Sequence, residues 1–525
     1  MKIRESLERG RFDDAPLDKS AETRFGIRST TQTRLLKWGV LAVIAFAYLA
    51  DLSPGHVFEA DDFAAYVMHA ANLAEGRPYL AINYVPNPRA LWLAPSNGYP
   101  PVYPLILAPA YKVFGLNLRA FKAVTVLCFV VFLAIFESLV RPMLSPTLSA
   151  CALLIVGFNS VFWSQRDYIL SEFPYLMFCF GALLVIQNTY KSLTPEKLNI
   201  GAAILLSVLL YCSYGTRTIG IVLVAALALA DLAKFKWPSR FMMAVVAGTA
   251  ILILVQALII TSPTGYISAF HFSLRMTFVN AVYYTKVLSY VWENGFSKKL
   301  QIVFALFFTA LAAFSFARHF WKERAAKEFY LLGYLAILFV WNAEIGLRGL
   351  LPILPLYFGY GIEEFGRIIG PLNILTRRIA MTVLLLFCGL TFSAELGRES
   401  RQQSEPNVHD ATARELFSFL QTNTKPSEVL IFPKPRSLAL FTNRAVASFA
   451  PDEAPEDSAN FMRTIQATIL VKADPSPPSW YSFLESNKSS STEIFRNSDY
   501  QVFRVDWEKA APASTASPNL MNGSP

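Results

Sequence analysis

The stretch Glu59-Ala-Asp61-Asp62-Phe-Ala-Ala-Tyr66-Val-Met-His69 sets two carboxylates side by side at the head of a helical pattern. From Asp62 onward, Tyr66, His69, Ala70 and Leu73 recur at the spacing of one helix face. Asp62 stands where an N-cap belongs. A carboxylate in that position either caps a surface helix or, at a membrane–water boundary, acts as a general base toward an incoming hydroxyl or amine. Neighbouring residues do not share a helix face, so one of the pair is expected to do chemistry and the other to hold structure. A third acidic side chain, Glu172, opens an apolar run in Ser164-Gln-Arg166-Asp167-Tyr-Ile-Leu-Ser171-Glu172. There it serves as a helix-start carboxylate favoured by the macrodipole or as an acidic member of a site. Arg217, in Tyr214-Gly-Thr216-Arg217, and Arg348, in Arg348-Gly-Leu-Leu-Pro352, lie at ends of apolar runs. An arginine at such an end snorkels to water or gives charge-assisted, bidentate bonds to a phosphate at the same depth.

Something must hold these groups. Of the 525 residues, 54% are hydrophobic, 14% aromatic and only 16% charged, against about 45–50% apolar and about 25% charged in an ordinary soluble domain. Mean hydropathy is +0.38. That is the composition of a multi-pass membrane protein with sizeable water-exposed parts, and it excludes a disordered chain, a coiled coil or a disulfide-stapled module. About eleven apolar runs follow one another: about Trp38–Leu52, Leu118–Val140, Ser149–Phe162, Phe173–Asn188, Leu198–Ser213, Thr218–Leu232, Phe241–Thr261, Leu300–Phe316, Phe329–Trp341, Leu350–Tyr360 and Ile379–Phe392. In lipid every backbone donor and acceptor needs an internal partner, so the runs are expected to be helices.

The net charge of +9 is a topology signal. With the N-terminal arm, residues 1–37, in the cytoplasm, Arg141, Lys191, Lys234, Lys236, Arg318, Lys322, Arg324, Arg377 and Arg378 fall on the cytoplasmic side, as the positive-inside rule requires. Residues 38–392 then form the membrane domain, and the loops 53–117 and 262–299 lie outside. So does a small soluble α/β domain, residues 393–509, followed by a disordered stretch, 510–525. Pro104–Phe114 is short and carries Pro104 and Pro109, so it reads as an interfacial helix; a true span there would invert all that follows. In the tail, His409–Leu420 has helical spacing, while Val429–Phe432, Leu438–Phe441, Thr468–Val471 and Tyr500–Val505 read as short strands. No basic stripe with interleaved aromatics speaks for nucleic acid. The five cysteines all lie in or beside apolar runs, and the five histidines show no metal-binding spacing.

The first long loop continues Asn72-Leu-Ala-Glu-Gly76-Arg-Pro78-Tyr79 and then Tyr99-Pro-Pro-Val-Tyr103-Pro-Leu, a stretch stiffened by proline. With the pair Asp61-Asp62 and Tyr66, it resembles the first outer loop of GT-C membrane glycosyltransferases, above all the bacterial protein-mannosyltransferase and aminoarabinose-transferase group. Arg348 with its Leu-Pro-Ile-Leu-Pro run is similar to a further segment of that group, although Gly349 stands where an aromatic commonly follows. The resemblance spans roughly residues 38–392. It implies an all-α GT-C-like membrane domain and transfer of a sugar from a polyprenyl-phosphate carrier to an acceptor (glycan, lipid or protein) at the outer face of a bacterial inner membrane.

On that resemblance, Asp61 or Asp62 is the general base of one inverting displacement, Glu172 the acidic residue of the second outer loop, and Arg217 and Arg348 the holders of the leaving phosphate. Tyr66, His69, Tyr103, Arg166, Asp167, Tyr283 and Tyr284 are expected to line the substrate. Arginine supplies the positive charge, so no cofactor or metal is called for, while a divalent ion at the carboxylate pair is compatible with the scheme. A secondary transporter and a non-catalytic envelope scaffold are the rival readings. A transporter would show paired repeats and polar groups at mid-membrane, whereas here the polar groups gather at the outer ends.

Overall fold

A computed structural model of the chain describes residues 30–90, 98–260, 272–341, 345–399 and 406–508. Most of the N-terminal arm, the start of the outer loop 262–299 and the stretch 510–525 lie outside the described residues.

The helices of the first part are, in chain order, α1 (Thr30–Ala50), α2 (Asp62–Glu75), α3 (Val102–Phe114), α4 (Leu118–Val140), α5 (Pro146–Gly157), α6 (Ser160–Trp163), α7 (Glu172–Tyr190), α8 (Ile200–Thr216), α9 (Ile221–Phe235), α10 (Arg240–Ile259), α11 (Leu274–Ser289), α12 (Lys298–Lys322), α13 (Ala326–Val340), α14 (Leu347–Leu350), α15 (Leu354–Ile369) and α16 (Ile374–Glu399). Each expected apolar run is helical over most of its length. Six described segments are long and apolar enough to cross a membrane: 118–140, 172–190, 218–235, 240–259, 298–322 and 374–399. Val102–Phe114, Pro146–Gly157 and Ile200–Thr216 are apolar but shorter. The 13 residues of α3 rise about 20 Å, short of about 30 Å of hydrocarbon. The expected run Ser149–Phe162 is broken, because Asn159 leaves the helix and its side-chain oxygen caps α6 by accepting from Val161 N. The outer loop 262–299 also departs from expectation, since it carries the 16-residue helix α11.

Aromatic packing holds the bundle. Phe129 stacks on Phe173 at 4.3 Å, and Phe180 meets Phe132 edge-on at 5.0 Å, joining α4 to α7. At Gly361 of α15 a Cβ would stand 2.2 Å from Phe308 of α12, so these two helices touch where only glycine fits. Trp292, fully buried, donates from Nε1 to Tyr357 Oη at 3.0 Å.

The tail is a five-stranded mixed sheet of order β2-β1-β3-β5-β4, built from β1 (Val429–Ile431), β2 (Ala445–Ala447), β3 (Ala467–Ala473), β4 (Ser491–Arg496) and β5 (Tyr500–Val505), with helices α17 (Ala411–Asn423), α18 (Pro435–Thr442), α19 (Pro455–Thr464) and α20 (Pro478–Ser486). The strand expected at Leu438–Phe441 is a correction: these residues lie inside α18. Pro435 is pre-set for the first helical turn, Asn443 ends the helix in the left-handed region, and the buried Leu438, Ala439 and Thr442 recur at helix spacing.

The tail does not stand apart. One core cluster joins Phe58, Phe63, Tyr103 and Leu107 of the first loop to Leu416, Leu430, Leu438, Val446 and Tyr500 of the tail. The backbone of Asn83–Val85 pairs with the outer edge of β2, Val446 N donating to Asn83 O at 3.0 Å and Val85 N to Val446 O at 2.9 Å. This covers an edge that would otherwise be open.

Candidate active site

Helix α2 positions the acidic pair. It begins at Asp62, not one residue later. Asp61 is therefore the flanking residue, and its side chain makes no capping bond to α2. The other end stops at Gly76, whose φ of 69° favours glycine.

The two neighbours divide as adjacent residues must. Asp61 is committed to the tail. Its Oδ1 accepts from Ser437 N and Ser437 Oγ, both at 2.7 Å, and its Oδ2 accepts from Arg436 N at 3.2 Å. A first-loop carboxylate thus caps the tail helix α18. Burial pushes the Asp61 carboxyl above the usual range, against the pull of Arg436 and the Ser437 bonds.

Asp62 lies among cations. Its Oδ1 accepts from Tyr99 Oη at 2.6 Å and from Arg436 Nη1 at 3.1 Å. Its Oδ2 faces Arg348 Nη1 at 3.5 Å. Burial raises the carboxyl, but Arg348, Arg436 and the Tyr99 hydroxyl outweigh it and hold Asp62 below the usual carboxylate range. The side chain stays 29% exposed, so an incoming group has access to it.

Glu172, the first residue of α7, is 2% exposed and anchors two arginines. Arg217 Nη1 and Arg348 Nε both donate to its Oε1. Its Oε2 is buried and has no hydrogen-bond partner among the described residues. Arg217 sits in the break between α8 and α9, and Arg348 on the single turn α14 after Gly346. Two guanidiniums on one carboxylate oxygen keep a cationic face. The arginine side chains retain 21% and 31% exposure while their counter-ion is covered. A continuous run of ion pairs results: Arg217, Glu172, Arg348, Asp62, Arg436.

The expected lining residues fall into three groups. Tyr66 packs at 4.8 Å from the ring of Tyr99 and 4.9 Å from that of Tyr103, and donates to Ser171 Oγ at 3.1 Å, next to Glu172. Tyr103 is wholly buried and pairs with Thr125 Oγ1 at 2.6 Å. Tyr283 and Tyr284 lie against the Gly346–Gly349 turn, with Tyr284 Oη accepting from Ile345 N at 3.4 Å. His69 is fully buried, stacks on Tyr79 at 4.3 Å and bonds Tyr79 O through Nδ1 at 2.8 Å. It shapes the loop that delivers Tyr99.

Arg166 and Asp167 belong to another network. Arg166 pairs with Glu399 and Asp51 and stacks over Trp163 at 4.3 Å. Asp167 meets Lys122 Nζ at 2.9 Å and accepts from Ser53 Oγ at 2.5 Å. These pairs tie the root of the first loop to α4 and α16, and no ion pair among the described residues joins them to the Asp62–Glu172 run.

Sequence reasoning missed Arg436 altogether and left Tyr99 as part of a stiff connector. The sequence reading expected a strand at Leu438–Phe441 and gave Arg436 no role. Arg436 enters the site only because α18 docks on α2, some 374 residues away along the chain.

Among the described residues no cluster of three or more histidine, cysteine, aspartate or glutamate side chains has the geometry to hold a metal.

The backbone resembles several solved membrane enzymes. It aligns with ArnT from Cupriavidus metallidurans bound to undecaprenyl phosphate at TM-score 0.58 and 13% identity, over 92% of this chain and 100% of that one. It aligns with the apo Archaeoglobus fulgidus oligosaccharyltransferase at TM-score 0.59 and 10% identity, over 90% of this chain and 75% of that one. A mycobacterial arabinofuranosyltransferase, AftD, aligns at TM-score 0.52 and 13% identity, over 91% of this chain and 41% of its own length. No protein-family model and no curated protein sequence matches the chain.

Proposed function

From the premise that this chain has the GT-C fold, we propose that it is an integral membrane glycosyltransferase that moves a sugar from a polyprenyl-phosphate carrier to an acceptor at the outer face of a bacterial inner membrane. The observation that carries this reading is the convergence of Arg217 and Arg348 on Glu172 Oε1, with Asp62 at the far side of Arg348. Cation pair and carboxylate base are thus adjacent. The membrane domain crosses with about eleven helices, the shorter ones completed by their semi-polar flanks, and the tail lies outside. The ArnT structure in the comparison holds undecaprenyl phosphate, which supports a lipid phosphate as the class of leaving group.

In the reaction, the acceptor O–H or N–H gives its proton to Asp62 Oδ2. The freed lone pair attacks the anomeric carbon. The bond from that carbon to the phosphate oxygen breaks on the opposite face, and its electrons stay with the phosphate, so the configuration inverts. Arg217 and Arg348 meet the charge gathering on the phosphate. A phosphate between them competes with Glu172 and Asp62 for the guanidiniums. As Arg348 turns to it, Asp62 Oδ2 loses its cationic neighbour and becomes more basic. Binding of the donor thereby prepares the base. Arginine supplies the needed charge, with no metal in the scheme.

The test uses membranes containing the full chain and radiolabelled polyprenyl-phosphate sugars. Transfer of label to an endogenous acceptor, lost in Asp62→Asn, is the expected result. Solute uptake into proteoliposomes with no transfer would overturn it in favour of a transporter.

A further inference from the structure

The tail's contribution to the site goes beyond docking. Arg436 is 2% exposed, although it belongs to the soluble unit. Its guanidinium lies over the rings of Tyr84 at 4.9 Å and Tyr99 at 5.2 Å. Nη1 donates to Asp62 Oδ1 at 3.1 Å. Nε and Nη2 are buried and have no hydrogen-bond partner among the described residues. For interface stability alone this is a poor construction, because buried donors without acceptors cost free energy that an apolar side chain of the same volume avoids. Among the described residues, the single directed polar contact of the side chain goes to the carboxylate that the proposed reaction needs.

We infer that Arg436 is a positioning residue of the transfer site: carried in by the C-terminal unit, it fixes Oδ1 of Asp62 so that Oδ2 is the oxygen presented to the acceptor. The inference rests on the glycosyltransferase reading for its purpose, but its geometry stands by itself. Tyr99 and Arg436 grip the same oxygen, so the carboxylate keeps its orientation when Arg348 turns toward a phosphate. The charged and titratable groups around Asp62 are Asp61 beside it, Tyr99 from the segment before α3, Arg348 from α14 with Glu172 behind it, and Arg436 from α18. Of these, Arg436 is the only one the membrane helices and their loops do not supply. The site is therefore complete only when the tail is docked.

The experiment is a carboxyl-stretch infrared titration of the full-length protein in nanodiscs, with Asp62→Asn subtracted to assign the Asp62 band. Arg436→Gln is expected to raise the Asp62 midpoint by about one unit or more, the effect of losing an opposite charge within about 4–6 Å. Arg436→Lys is expected to restore most of that change. An unchanged midpoint in folded Arg436→Gln, or a Lys variant indistinguishable from Gln, overturns the inference. A second measurement does not depend on those variants folding. In Asp62→Asn, hydrogen exchange over residues 429–442 should quicken at least several-fold, because Arg436 loses its anchor; unchanged exchange there also overturns it. Binding of undecaprenyl phosphate to the same nanodiscs tests the functional reading separately. If the wild type does not bind it, that reading fails, while the titration still decides the role of Arg436.

Discussion

Asp61 and Asp62 are neighbours in the chain, yet they take different partners. Asp61 caps the tail helix through Ser437 and the Arg436 amide, whereas Asp62 lies between the side chains of Arg348 from α14 and Arg436 from α18. On the proposed mechanism this division favours Asp62 as the base.

Asp62→Asn is expected to lower transfer by about 10²–10⁴-fold, the range of a lost general base, with donor binding kept. Asp61→Asn should keep most of the activity but loosen the tail, since it weakens bonds at the start of α18. Initial rates and limited proteolysis of the tail separate the two. Wild-type rates in Asp62→Asn would remove it as the base.

Arg217→Gln and Arg348→Gln should each weaken binding of undecaprenyl phosphate about tenfold or more, from the loss of charged hydrogen bonds of about 1.5–3 kcal/mol. Glu172→Gln should tighten it, because a buried competitor for both guanidiniums loses its charge. Titration calorimetry in nanodiscs reads both, and weaker binding in Glu172→Gln would contradict the competition.

The depressed Asp62 carboxyl has a pH signature. A base held below the usual carboxylate range stays ionised as pH falls through about 4, so activity should persist there and fall only at lower pH. The linkage sign agrees: a depressed folded carboxylate adds stability above its unfolded value and loses it as pH falls through the folded one.

His56 adds a pH dependence of the same sign. Burial pushes it down to about 3, with its Nδ1 bonded to Val57 O and Lys122 adding repulsion. Its Nε2 accepts from Ile169 N at 3.2 Å, so the ring must be neutral. The unfolded chain protonates below about 6.5 while the folded one does not, so stability should decline as pH drops from there toward 3. A thermal melt series in which His56→Gln flattens this slope is the expected result.

Gly361→Val should destabilise the α12–α15 contact by about 1–3 kcal/mol, because the new methyls meet Phe308. Thermal unfolding in detergent measures it, and an unchanged melting temperature would show that the helices separate freely there.

Sequence alone settled what depends on local chemistry and composition. Apolar runs become helices because lipid leaves backbone groups no other partner, and the proline-rich loop with its acidic pair is a local pattern. The resemblance carried the fold, and the structural neighbours agree with it. Glu172, Arg217 and Arg348 were nameable because each stands at the end of an apolar run. Other features required the tertiary structure. Arg436 joins the site only where α18, a helix in place of the expected strand, docks on α2. Arg166 and Asp167, two residues with the right chemistry, are drawn off by Glu399 and Lys122. Asp61 is taken by the start of α18 while Asp62 faces the guanidiniums of Arg348 and Arg436, a division that the docked tail sets. A charged side chain takes its role from the partners within a few ångströms, and those partners lie hundreds of residues away along the chain.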